Sequence, residues 1–101
     1  MIIYSVTVSV EKGIHEDWLN WMKETHIPDV MSTGYFTENL ITRVLTTAEG
    51  EEGITYNIQY HCPSMIDLEE YQQKHAPALQ KEHTDRYQNK FVAFRSLLEK
   101  V

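Results

Sequence analysis

The hydrophobic period of this 101-residue chain switches from two to a helical spacing and back, twice over, and that rhythm leaves few folds open. Tyr4, Val6, Val8 and Val10 alternate with Ser5, Thr7 and Ser9, the mark of a strand with one buried and one polar face; Lys12 and Gly13 end it. Trp18, Leu19, Met22, His26 and Val30 then fall at helical spacing, with Glu16 and Asp17 in the first turn, where carboxylates complement the helix dipole, and Gly34 as the stop. Tyr35 to Thr47 is β-branched and aromatic and lacks proline, which predicts a long second strand. Ala48 to Gly53 is the turn, and Ile54, Tyr56, Ile58, Tyr60 and Cys62 alternate along a third strand that pairs with the second as a hairpin. Pro63 ends that strand, and Ser64 with Asp67 resembles a capping box. Leu68, Tyr71, Gln72, His75, Leu79 and Glu82 trace one face of a second helix running to about Tyr87, and Phe91 to Leu98 is the fourth strand.

The order is β-α-β-β-α-β, an α+β ferredoxin-like domain over residues 1–101. Right-handed crossovers put both helices on one face of a four-stranded antiparallel sheet, with the first and third strands central. A chain of this length carries one modest core and has no room for a separate catalytic domain. The first residues alternate at once, without the basic and apolar regions of a signal peptide, so they read as the start of a strand. No run approaches the ~20 apolar residues that span a bilayer.

Nine basic against fifteen acidic residues leave a net charge of -6, which repels phosphate backbones and anionic headgroups, so neither nucleic acid nor a membrane is an expected partner. RNA-binding domains of this topology carry stacking aromatics on the open sheet face. Here the third strand offers Thr55, Asn57, Gln59 and His61 there. The single cysteine, Cys62, forms no intrachain disulfide, which fits a reducing, cytoplasmic compartment and a small core residue.

The element closest to chemistry is repeated. Met22 to Val30 aligns without a gap on Tyr71 to Leu79, so that His26-Ile27-Pro28 and His75-Ala76-Pro77 recur at equal spacing between apolar residues. Proline inside a helix cannot bond the carbonyl four residues back, so Glu24 and Gln73 are expected to carry freed carbonyls beside a bend or break. Two readings follow for the histidines. They are polar pins at helix bends, or they line a cleft between helices and sheet as acid-base groups or ligand contacts. Trp18, Met22 and His26 are successive i+4 neighbours, which permits the second reading, although Trp18 itself reads first as core. No His pair at i, i+4, no Cys-x-x-Cys, no glycine-rich phosphate loop and no nucleophile elbow occur, so neither metal nor cofactor is expected.

If the even positions of the strands face the helices, the opposite face has a polar centre at Ser5, Thr7, Thr55, Asn57, Gln59 and His61. Ile41, Arg43 and Leu45 are then expected on one edge, with Phe91, Ala93, Arg95 and Leu97 on the other. A polar middle with apolar edges predicts a C2 homodimer in which two sheets face each other.

The start Met1 to Val8, the helix Trp18 to Val30, the segments His75 to Leu79 and Glu82 to Arg86, and the ending Lys90 to Leu98 resemble a bacterial family of about 100-residue proteins known as a domain of unknown function. The resemblance implies kinship with the dimeric α/β-barrel superfamily, which includes cofactor-independent and haem-degrading monooxygenases and holds ligands between sheet and helices. Haem-degrading members use an Asn on the first strand and a Trp before the second helix, positions held here by Ser5 and Pro63, so haem chemistry is not carried over even though His83 lies near their histidine. The expected ligand contacts are Trp18, His26, Tyr71 and His75, with His26 or His75 as the acid-base group of a small-molecule binder or cofactor-independent enzyme. The alternative is a non-catalytic protein-interaction or regulatory module in which these residues are core.

Overall fold

A computed structural model describes residues 1–46 and 53–101. Strands β1 (Ile2–Glu11), β2 (Glu38–Arg43), β3 (Gly53–Cys62) and β4 (Phe91–Glu99) form one antiparallel sheet in the order β2-β3-β1-β4, so β1 and β3 are central, as the β-α-β-β-α-β order predicts. The chain is α+β and ferredoxin-like, with the helices covering one face.

Between β1 and β2 the expected single helix is three consecutive pieces after a 3₁₀ turn at Lys12–Ile14. These are α1 (His15–Trp21), a π turn at Met22–His26, and α2 (Ile27–Ser32). The backbone N–H of Ile27 reaches back five residues to the carbonyl of Met22, and Pro28, which has no N–H, opens α2 immediately afterwards. The second helix is likewise divided into α3 (Met65–Lys74) and α4 (Ala76–Arg86) by His75, whose φ of -123° leaves the helical range one residue before Ala76-Pro77. Each His-x-Pro thus marks an interruption, by a different device in each half. Ser64 caps α3 by accepting from the backbone N–H of Asp67 at 3.2 Å while its hydroxyl bonds the Asp67 carboxylate at 3.0 Å.

The second strand is shorter than the expected span of Tyr35 to Thr47, because Tyr35 and Phe36 pack instead of joining the ladder. Phe36 is buried with its ring 4.7 Å from that of Tyr71 and 5.2 Å from that of Tyr60, and Tyr35 lies against His75. Most of the expected turn, Ala48 to Glu52, lies outside the described residues.

The edge strands correct the expected face assignment. Directly opposed residues of an antiparallel pair share a face. Ile41 pairs with Ile58 and Arg43 with Tyr56, while Phe91, Ala93, Arg95 and Leu97 oppose Val10, Val8, Val6 and Tyr4. All these residues therefore lie on the helix-covered face. The open face instead takes Leu40, Val92, Phe94 and Leu98, each exposed, around a centre where the Asn57 amide donates to the hydroxyls of Ser5 at 2.9 Å and Thr7 at 3.1 Å. The apolar rim exists, but it is built from the alternate residues.

Between sheet and helices, Val8, Val10, Trp18, Val30, Ile58, Cys62 and Leu68 are buried to 2% exposure or less and make up the core. Among the described residues, no helix is long and apolar enough to cross a membrane.

Candidate functional site

The core does not close completely. A cavity of about 40 Å³, open to solvent at its mouth, lies between the sheet and the interrupted helices. Its floor is the helix-facing side of β1 and β3, where Tyr4, Val6, Val8, Ile58 and Tyr60 stand at the even positions that strand periodicity sends inward. The π turn and α2 supply Met22, His26 and Val30, α3 supplies Tyr71, and α4 supplies Leu79, Gln80 and His83. Ala93 and Arg95 from the edge strand β4 complete the wall.

The helix interruptions decide which polar groups arrive there. A π turn holds one more residue than an α turn, rotating whatever follows and re-aiming the side chains at its end. His26 is the last residue of this turn, and its Nδ1 is buried with no hydrogen-bond partner among the described residues. The imidazole therefore pins no freed carbonyl through that atom. At His75 the change in backbone conformation resets the phase of α4, whose inward residues become Ala76, Leu79, Gln80 and His83, with Glu82 exposed. An uninterrupted helix would have carried the stripe to Glu82.

His26 and His83 meet at a ring-centroid separation of 5.7 Å, with Trp21 5.1 Å from the first and 5.8 Å from the second. Trp18, fully buried, donates its indole N–H to Nε2 of His83 at 2.8 Å. Indole nitrogen can only donate, so Nε2 is the acceptor and the ring proton of neutral His83 resides on Nδ1. Burial pushes both imidazoles down from 6.5 to about 4. For His26, Asp29 opposes the shift and Arg95 adds to it; for His83, His26 and then Arg95 add to it. At neutral pH the cavity thus holds two uncharged imidazoles, one with a fixed tautomer and one unengaged at Nδ1. Burial likewise raises the hydroxyl pKa values of Tyr60 and Tyr71, so both remain protonated donors. Gln80 reaches the Tyr4 hydroxyl at a long 3.5 Å.

Of the four residues singled out in the sequence, His26 and Tyr71 stand in the cavity wall. Trp18 lies behind the wall, holding His83. His75 is half-buried outside the cavity, its ring 5.6 Å from Tyr35 and 6.3 Å from Tyr71, and it borders a shallow depression with Asp29, Thr33 and Lys74. The residues that pattern reading passed over are His83 and Arg95. The signal for His83 was its i+4 spacing from Leu79. The signal for Arg95 was its register against the first strand, which no single strand reveals. Among the described residues, no cluster of three or more His, Cys, Asp or Glu side chains has the geometry to hold a metal ion.

The fold is similar to those of several solved structures. One is a dimeric ferredoxin-like protein from an uncultured marine organism, at 13% identity over 100% of this chain and 95% of that one, with a TM-score of 0.72. Another is SnoaB, a cofactor-independent oxygenase from Streptomyces nogalater, at 8% identity over 98% and 92% of the two chains, with a TM-score of 0.64. A third is an antibiotic biosynthesis monooxygenase, at 10% identity over 100% and 99%, with a TM-score of 0.62. At such identities the likeness is one of fold. No curated protein matches the sequence. The family model described as a domain of unknown function (DUF4286) matches residues 1–101 from end to end, and the chain belongs to that family.

Proposed function

We propose that this protein binds a small, partly apolar molecule in the cavity between its helices and its sheet, with His26 as the group that exchanges a proton or a hydrogen bond with it. The observation that carries this reading is the unpaired, buried Nδ1 of His26 in the wall of a mostly apolar cavity. A buried polar atom without a partner costs about 1–3 kcal/mol, and a ligand that supplies the partner recovers that cost. Convergent polar groups set in apolar walls are the usual composition of small-molecule sites. In a cofactor-independent reaction, neutral His26 would be the base and the hydroxyls of Tyr60 and Tyr71 the donors.

The working unit in this proposal is a cytoplasmic homodimer, formed by pairing the open sheet faces through Leu40, Val92, Phe94 and Leu98. The dimeric relative of the same fold supports it.

The experiment is a fluorescence titration with N-phenyl-1-naphthylamine, an uncharged apolar probe, against the native protein and an Ala93→Trp variant designed to fill the cavity. Saturable binding lost in the variant supports the reading. Equal binding by both proteins, or none by either, favours the interaction-module alternative, in which the same residues are only core.

A further inference from the structure

We infer that the ligand of this cavity is a monoanion with an apolar body, a carboxylate or enolate seated between the guanidinium of Arg95 and the Nδ1–H of His83. The inference rests on the cavity reading above and concerns the charge of the occupant. Its basis is a contrast in charge. The chain carries fifteen acidic residues against nine basic ones, yet among the described residues the cavity wall contains no Asp or Glu, and its one permanent charge is Arg95. Arg95 takes part in none of the ion pairs found among the described residues, so its guanidinium keeps its donors for another partner. His83 adds a second donor of fixed direction, because the Trp18 indole occupies Nε2 and leaves the proton on Nδ1.

A neutral imidazole donor and a guanidinium lining the same cavity suit an oxyanion, and charge-assisted bonds of this kind are about twice as strong as neutral ones. A cationic ligand would meet Arg95 with no carboxylate in the wall to offset it. Arg95 is itself exposed at the cavity wall on the edge strand; the acidity of the rest of the surface opposes an anion there only weakly, since charges more than about 10 Å away are screened at 0.1 M salt.

The test compares 3-phenylpropanoate with its uncharged isostere, 3-phenylpropanamide, by calorimetric titration of the native protein, Arg95→Gln and Arg43→Gln. The two substitutions change net charge equally, but Arg43 is not in the cavity wall. The acid is expected to bind native protein at least tenfold more tightly than the amide. Arg95→Gln should abolish that preference, and Arg43→Gln should leave it intact. If the amide binds as well as the acid, or if both variants weaken the acid equally, the charge inference falls while the cavity reading stands. If neither compound binds, both fall together.

Discussion

The indole N–H of Trp18 meets Nε2 of His83 at 2.8 Å inside the protein, joining α1 to α4 across 65 positions of sequence. The pair couples the first β-α-β half to the second and settles which nitrogen of His83 bears the proton.

Replacing Trp18 with Phe keeps an aromatic ring but removes the donor, leaving a buried acceptor unpaired. A loss of about 1–3 kcal/mol is expected in urea unfolding. Long-range proton–nitrogen NMR should show His83 as a single Nδ1–H tautomer in the native protein and as a tautomer mixture in the variant. A variant of native stability with an unchanged tautomer would remove the role assigned to this bond.

Acid should weaken the fold earlier than its carboxylates alone would. His26 and His83 have pKa values of about 4 when folded and about 6.5 when unfolded, so the unfolded chain binds more protons between those limits. Their contribution is complete above pH 6.5, falls as the pH drops through that window and levels off below about 4. With one pKa unit worth about 1.4 kcal/mol, and solvent in the cavity screening part of it, the pair is worth roughly 2–4 kcal/mol. Denaturant midpoints taken from pH 7.5 to 4 should show this decline, and His26→Gln should flatten it by about half.

Gly34 ends α2 at a φ of +85°, where a side chain is strained even though an added Cβ would touch nothing within 4 Å. Gly34→Ala should therefore cost about 1–2 kcal/mol by backbone conformation alone. Thermal unfolding measures it, and Gly13→Ala, at a negative φ and equally open, is the control.

Phe94 is 62% exposed on the open sheet face beside Val92 and Leu98. In the proposed dimer a glutamate there would be buried without a partner. Phe94→Glu is thus expected to elute as a folded monomer in light scattering at micromolar concentration, where the native protein is expected to elute as a dimer.

The strand order, the parity of the central strands and the place of each helix interruption were legible in the sequence, because period-2 alternation and proline act locally. Tyr4, Tyr60 and Tyr71 took their inward positions from period alone. The edge strands were not legible in the same way. Phe91 to Leu98 is apolar on both parities, and only pairing with β1 assigns Arg95 to the cavity and Phe94 to the open face. His83 escaped for a related reason: the stripe counted from Leu68 loses its phase at His75, and a change of one backbone conformation moves the inward position from Glu82 to its neighbour. The expected cleft contacts mixed a wall residue, His26, with one whose interruption acts at a distance, since His75 shapes the site by turning α4.

The π turn at Met22–His26 amounts to one surplus residue carried within a helix. Removing a residue there would restore ordinary helical bonding and swing the following side chains by about 100°. An engineer seeking a sturdier scaffold would make that deletion first. If the proposed binding is right, whether the surplus residue persists in a relative is a way to tell which members of the family have kept the aim of His26 into this cavity and which have kept only the fold.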